Sequence, residues 1–279
     1  MKKIFCPICF DEGKFSFVSK NNYKIYNCKN KKCKHYFLLD PKKEQGIHKR
    51  NNDLTIESDQ NLKKFGERNK RLLKLFLKKI SRSKKYKFLD FGSGCAHISR
   101  TFKTYLGNKA KIYCLEANNK CRKFYPQWDL IPVSNLENIE EKIDLIYMIE
   151  VIEHLKNPKE ILLNLKKVMD KNSLLFLSTP SGYYDEKLTN AYDNPTHIHF
   201  FTPESLNNLL SSVGFKKISF DSSSVNLHPF KTKQSFLKKI IYNIKVFFKK
   251  TYINTQRKHY KKKISFSFSW IYKIGELIF

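Results

Sequence analysis

One run of ten residues constrains this chain more than any other: Phe88-Leu89-Asp90-Phe91-Gly92-Ser93-Gly94-Cys95-Ala96-His97. It reads as an apolar strand running into a glycine-rich turn and then a helix. A second apolar run follows at 111–115 and ends on an acid, Glu116. A strand, a tight glycine turn and a later acid form the cradle of a nucleoside cofactor in a doubly wound α/β sheet. The pattern D-x-G-x-G-x-A lacks the third glycine that a dinucleotide's pyrophosphate requires. Asp90 stands at the strand end, where a carboxylate faces an amine or a hydroxyl rather than a phosphate. A cofactor without phosphates fits this turn better than a dinucleotide.

The rest of the chain between 85 and 220 alternates in the same way. Strands are expected over 87–91, 111–115, 130–133, 143–149, 174–178 and 216–220, and helices over 96–106, near Lys120, and over 158–169 and 203–213. Such alternation predicts a parallel-rich sheet. Ahead of the first strand, 61–80 reads as a basic amphipathic helix, with Leu62, Phe65, Leu72, Leu73, Phe76 and Ile80 near helical spacing. Thr202-Pro203-Glu204 reads as a helix start, with Thr202 as N-cap.

Four later features join the glycine turn: Glu116, IDLIYMIEVIEHL at 143–155, LLFLSTPSG at 174–182 and HIHFFTPESLNNLLSSVGF at 197–215. In order and spacing they resemble the class I S-adenosylmethionine-dependent methyltransferases, in their ubiquinone-type branch. The resemblance implies a Rossmann-like sheet of seven strands, the last antiparallel, and S-adenosylmethionine as cofactor. It implies that Gly92 and Gly94 admit the methionine part and the ribose, and that Asp90 acts at the amino group. Glu116 would take both ribose hydroxyls, since a carboxylate accepts two hydrogen bonds from a diol. Asn135, in Val133-Ser134-Asn135-Leu136, stands where the family usually has an acid for the adenine amine. Ala96 stands where many members have glycine.

Glu150, Glu153 and His154 fall just past the fourth strand, on the rim that faces substrate in open α/β sheets. Methyl transfer to oxygen or nitrogen is an in-line displacement that needs alignment and removal of a proton. His154 is the general-base candidate, since an unperturbed imidazole titrates near neutrality. Glu150 is counted with both the catalytic and the cofactor residues. The same acids and His154, completed by His197 or His199, also resemble the Mg²⁺ site of two subfamilies, where the metal polarises an acceptor hydroxyl. Tyr183, Tyr184 and 190–196 form a polar, aromatic insertion expected to cover the acceptor.

Residues 1–40 form a separate pattern. Cys6-x-x-Cys9 and, after a β-rich stretch, Cys28-x₄-Cys33 make two knuckles that bring four thiolates toward a tetrahedron, which suits a structural Zn²⁺. His35 is the alternative to Cys33. The expected organisation is therefore a zinc ribbon at 1–40, a linker at 41–60, a methyltransferase domain at 61–225 and a basic C-terminal extension at 226–279.

The formal charge is +29, which points toward nucleic acid or anionic lipid. Yet only seven of the 54 basic residues are arginine, and phosphate-reading surfaces prefer arginine's fork. Residues 231–263 place apolar side chains on one helical face with lysines off it, the pattern either of a helix packed on the domain or of one lying on an anionic membrane surface. With no leader-like apolar run, a cytoplasmic protein is expected, peripheral at the inner membrane face if that helix binds lipid. The leading functional expectation is O- or N-methylation of a small molecule, a sugar or glycan precursor. The alternatives are an RNA methyltransferase and a non-catalytic docking module that binds the cofactor.

Overall fold

The computed structural model describes residues 3–19, 21–39, 54–79, 85–180, 182, 194, 196–221 and 267–274. In chain order these form β1 (Gly13–Val18), β2 (Lys24–Cys28), β3 (Tyr36–Leu38), α1 (Leu54–Lys79), β4 (Tyr86–Phe91), α2 (His97–Leu106), β5 (Ala110–Leu115), α3 (Asn119–Arg122) and β6 (Ile131–Val133). There follow β7 (Leu145–Ile149), α4 (Pro158–Lys167), β8 (Leu174–Pro180), β9 (His199–Phe200), α5 (Pro203–Ser212), β10 (Phe215–Asp221) and β11 (Ser267–Ile274).

The main sheet has seven strands in the order β10-β11-β8-β7-β4-β5-β6. Neighbours from β8 through β6 pair in parallel. Both faces are buried, so side chains alternate between two cores. Phe88, Leu145, Tyr147, Leu174 and Phe176 point to the side covered by Leu73 and Phe76 of α1 and Phe102 of α2. Leu89, Ile146, Met148, Leu175 and Leu177 point to the side covered by α4 and α5. That period-two division is what a twisted sheet between helical layers demands.

The expected antiparallel strand is present, but it comes from far down the chain. β11 inserts between β8 and β10 and is antiparallel to both. It lies in the segment expected to be an extension beyond 225. The run Ser-Phe-Ser-Trp-Ile-Tyr-Lys-Ile alternates with period two and is rich in aromatic and β-branched residues, which is a strand pattern. The stretch 231–263, expected to be an amphipathic helix, lies outside the described residues.

Helix α1 starts at Leu54, seven residues before the expected 61. The polar stretch that reads as linker is used for packing on α2. Ser58 is fully buried and accepts from Arg100 Nη1 at 2.6 Å, and Asp59 pairs with the same nitrogen at 2.8 Å. A tertiary partner holds these residues in the helix, and no local pattern announces it. Thr202 does cap α5, in a reciprocal box with Ser205.

The cysteine-bearing hairpin is joined to the main domain by backbone pairing. Its sheet runs β1-β2-β3-β9, so its fourth strand is borrowed from the segment after β8. Tyr36 and Phe37 stand opposite Phe200 and His199, and Leu38 N–H donates to Ile198 O at 3.1 Å. Thr202 Oγ1 donates to Cys33 O, Asn208 to Lys32 O, and Lys34 pairs with Glu204 at 2.7 Å. Cys6, Ile8, Cys33 and Phe37 share one buried core with Leu206, Leu209 and Leu210 of α5.

Candidate active site

The glycine turn is built by backbone geometry that side chains disfavour. Gly92 and Gly94 have φ of 75° and 53°, in the left-handed region. A Cβ on Gly92 would also lie 2.6 Å from Val151 Cγ2. Gly92 N–H donates to Leu115 O at 2.8 Å, tying the turn to the end of β5. Tyr125, fully buried, donates its hydroxyl to Gly94 O at 2.7 Å and shares a 2.9 Å bond with Ser93 Oγ. Nothing in the sequence around Tyr125 signals this bracing role.

Glu116 closes the turn. Its Oε2 accepts Gly94 N–H at 2.8 Å and its Oε1 accepts Asn118 N–H at 2.9 Å. A carboxylate offers about four lone-pair directions, so two remain for a diol. Asp90 is buried and accepts from Ser99 Oγ at 2.6 Å; Ser99 in turn lies 2.6 Å from Tyr147 OH. Burial pushes Asp90 up to about 7, against the pull of the Ser99 bond and with a push from the Glu116 charge.

These groups line a cavity of about 1040 Å³ that also takes in Glu150, Glu153 and His154, and His197 from the segment before β9. Asn61, Phe65 and Arg68 of α1 form another wall, which the sequence reading missed because the helix was assigned only to packing. Asn135 is not brought into this lining. It is exposed, and its Oδ1 caps a short 3-10 turn by accepting from Asn138 N–H at 3.1 Å.

The side of the cavity away from the glycine turn begins at Glu150, a non-glycine residue with φ of 55°. Such a backbone costs on the order of 1 kcal/mol and here aims the residue past the end of β7. Its N–H donates to Ser178 O at 2.9 Å and its Oε1 accepts from Ser178 Oγ at 3.0 Å. Glu153 is 1% exposed; Thr179 donates to its Oε2 at 2.9 Å, while its Oε1 has no hydrogen-bond partner among the described residues. Burial, reinforced by the Glu150 charge, holds its carboxyl well above the usual range. His154 Nδ1 lies 2.9 Å from Thr196 O, which can only accept. Nδ1 therefore carries the proton, and the basic lone pair of neutral His154 is on Nε2. His197 Nε2 accepts from Asn194 Nδ2 at 3.0 Å, and its ring centroid is 4.8 Å from that of His154.

Two donor sets emerge among the described residues. Donor atoms of Glu153, His154 and His197 lie within 4.8 Å of one another, without Glu150 and without His199. His199 instead turns into the ribbon interface, where its Nδ1 meets His35 Nε2 at 3.1 Å; burial lowers His199 to about 4. His35 is thus engaged with His199 and Phe201 rather than with the cysteines. The second set is Cys6, Cys9, Cys28 and Cys33, also within 4.8 Å. Two of their Sγ pairs lie at 3.9 Å (Cys6, Cys33) and 3.3 Å (Cys9, Cys28), near the edge of about 3.8 Å that a tetrahedron of Zn–S bonds requires. Backbone N–H groups of Ile8 and Asn30 approach Cys6 and Cys28 Sγ at 3.4 Å, as donors to thiolates. Tyr183 and Tyr184 lie outside the described residues.

The profile of a family described as a methyltransferase domain matches residues 61–219, more than half of the chain. The chain belongs to this methyltransferase family. No curated protein matches it at a significant level. Among solved structures, a chain of the complex between the Haloferax volcanii Trm112 methyltransferase activator and a methyltransferase is 8% identical at a TM-score of 0.52, covering 81% of this chain and all of that one. Coclaurine N-methyltransferase bound to N-methylheliamine and SAH is 14% identical at 0.50, over 74% of this chain and 71% of that one. The plantazolicin methyltransferase BpumL with SAH is 12% identical at 0.50, over 79% and 88%. At such identities these likenesses speak to the fold. The methyltransferase is S-adenosylmethionine-dependent, with a Rossmann-like sheet and an N-terminal cysteine cluster consistent with a metal-binding motif. Among the described residues no helix is long and apolar enough to cross a membrane.

Proposed function

We propose that this methyltransferase methylates an oxygen or nitrogen of a small molecule, a sugar or glycan precursor, with His154 as the general base. The observation that carries this is the His154 tautomer: Nδ1 is held by Thr196 O, and Nε2 is the basic atom in a cavity shared with Glu116 and the glycine turn. When bound, S-adenosylmethionine supplies an electrophilic methyl on a sulfonium. Glu116, Gly92 and Gly94 hold the nucleoside, and Asp90 in its ionised form meets the amino group. His154 Nε2 takes the proton of the acceptor hydroxyl or amine as the acceptor's lone pair engages the methyl carbon. The S–C bonding pair stays on sulfur. The Glu153 carboxyl, held neutral by its burial, lies 3.8 Å from Nε2 as a polar neighbour of the resulting imidazolium rather than a counter-charge. The cysteine cluster holds a structural Zn²⁺, a closed four-thiolate site that does no chemistry.

A second reading rests on the orphaned Oε1 of buried Glu153, which a cation would satisfy. A divalent ion such as Mg²⁺ on Glu153, His154 and His197 would polarise the acceptor in place of a base, and would suit an RNA 2′-hydroxyl as well as a sugar. Transfer of radiolabelled methyl into an extract of the source cells, separated into small molecules, lipid, RNA and protein, decides between these. Label in small molecules or lipid-linked glycan, unaffected by chelator, supports the leading reading. Label in RNA overturns it. A Mg²⁺ requirement that shifts to higher Mg²⁺ concentration in a His154 variant moves the role from base to ligand.

A further inference from the structure

The insertion that follows β8 ends in the sequence Asn194-Pro195-Thr196-His197, and Asn194 lines the cavity. Asn194 Oδ1 accepts Thr196 N–H at 3.0 Å, and Thr196 Oγ1 donates to the same oxygen at 2.8 Å. The Asn194 carbonyl accepts His197 N–H at 3.2 Å. A side-chain oxygen that takes the N–H two residues on makes an Asx turn, which Asn followed by Pro favours. The amide nitrogen of the same side chain, Nδ2, faces His197 Nε2 at 3.0 Å, and His197 is only 7% exposed.

The donors in this turn are fixed by chemistry, so the proton positions follow. A backbone N–H can only donate, so the amide atom facing Thr196 is Oδ1 and the one facing His197 is Nδ2. An amide nitrogen can only donate, so His197 Nε2 accepts, and the proton of the neutral ring is on Nδ1. Thr196 O can only accept, so His154, whose Nδ1 is 2.9 Å away, also carries its proton on Nδ1. The two rings stand 4.8 Å apart, edge to face. One side chain therefore reaches both: its oxygen sets the peptide that holds His154, and its nitrogen holds His197 directly. In this tautomer His197 is engaged at Nε2 and protonated at Nδ1, so it has no lone pair to give a cation.

We propose that Asn194 is the positioning residue of this site: through Thr196 it holds His154 with its proton on Nδ1, and through its own amide it holds His197 likewise, so that the pair presents His154 Nε2 as its base. This rests on the reading of His154 as general base and deepens it, by assigning what selects the tautomer. A free imidazole favours the proton on Nε2, so the opposite tautomer in two neighbouring rings needs a partner for each.

The test is long-range proton–nitrogen NMR of the imidazoles in full-length protein made with isotope-labelled histidine, which reads the nitrogen that carries the proton. The rate of labelled methyl transfer into source-cell extract is measured on the same samples. Wild type should show His154 and His197, assigned with His154→Gln and His197→Gln, both protonated on Nδ1, and added Mg²⁺ should leave both patterns unmoved. In Asn194→Ala both rings should shift toward the Nε2 tautomer. Methyl transfer should fall about 100-fold, with the KM for S-adenosylmethionine within about threefold of wild type. Asn194→Asp separates the two arms. Its carboxylate still accepts Thr196 N–H, so His154 should keep its tautomer and transfer should stay within about tenfold. It offers His197 an acceptor in place of a donor, so that ring alone should move its proton to Nε2. A His154 pattern unchanged in Asn194→Ala overturns the proposal. So does either ring protonated on Nε2 in wild type, or a ring pattern that shifts with Mg²⁺. If Asn194→Ala does not fold, Asn194→Asp and wild type decide by the same patterns. Tautomers that move as expected while transfer is undiminished would sink the general-base reading beneath, a separate failure.

Discussion

The two sides of the cavity are built in opposite ways. The nucleoside side is local: strand β4, the glycine turn, helix α2 and Glu116 lie within one βαβ unit, and its key bonds are backbone contacts such as Gly94 N–H to Glu116. The acceptor side is assembled from distant pieces. His197 follows a long insertion, and Ile198 N–H donates to Glu153 O at 3.0 Å while Ile198 O accepts from Leu38 N–H of the ribbon. One residue thus links the cysteine hairpin to the catalytic segment. The contrast teaches that one side of the cavity depends on spacing within a single unit, while the other depends on backbone pairing with the cysteine hairpin.

The largest effect should come from breaking that connection. With Cys33→Ser, or with the ribbon metal stripped by chelator, β3 loses its support and with it β9. Folding of such small hairpins depends on metal by roughly 10 kcal/mol, so the loss should be complete locally. Methyl transfer should fall by at least about 100-fold while SAH affinity changes less than about threefold. Metal analysis, turnover and calorimetry on the same samples check this. Turnover and SAH affinity falling together would mean that the halves are not separable.

Glu116→Ala is the complementary lesion on the nucleoside side. It removes two diol bonds and the acceptor for the N–H groups of Gly94 and Asn118. Charged hydrogen bonds contribute about 1.5–3 kcal/mol each, so SAH affinity should drop about 100-fold, with Cys-cluster metal content unchanged. An Ala variant that binds SAH within about threefold of wild type would remove Glu116 from the site.

The same contrast explains what could be read in advance. The glycine turn, Glu116 and the E-x-x-E-H segment are legible because spacing along one βαβ unit fixes spacing in space. The partner of His154 is not legible, since Thr196 lies 42 residues on and its carbonyl carries no side-chain signal. Nor is the start of α1, because burial of Ser58 depends on Arg100. The capping role of Asn135 is likewise not legible on its own, since the same side chain suits a cap or a ligand contact, and here its Oδ1 accepts from Asn138 N–H. β11 carries a strand pattern, yet pattern alone does not say that it will insert between β10 and β8 of a sheet left 46 residues earlier, at Asp221.

Where the halves touch, at Gly92 and Val151, a smaller effect is expected. Gly92→Ala adds a left-handed penalty and a clash with Val151, together about 2 kcal/mol of stability. Adding Val151→Ala should return the clash part and leave about 1 kcal/mol, read by denaturant melts of the two single variants and the pair. Full additivity would mean that the two residues do not meet.

The mildest perturbation is pH, and it separates the halves without a mutation. Asp90 sits at about 7 in the folded chain because burial favours its neutral form. An acid raised on folding binds its proton more tightly in the native state. Its contribution to stability is therefore present below the ordinary carboxylate range, and is lost as pH rises toward 7. Binding of the cofactor's ammonium needs the ionised form, so ligand affinity runs the other way. SAH affinity should fall about tenfold from pH 8 to pH 6, with proton release on binding near pH 6.5. Asp90→Asn should bind weakly at both values, with a flat profile. Calorimetry in two buffers of different ionisation heat counts the protons. A profile equally steep in Asp90→Asn would assign the titration to another group, with Glu153 on the acceptor side the next to test.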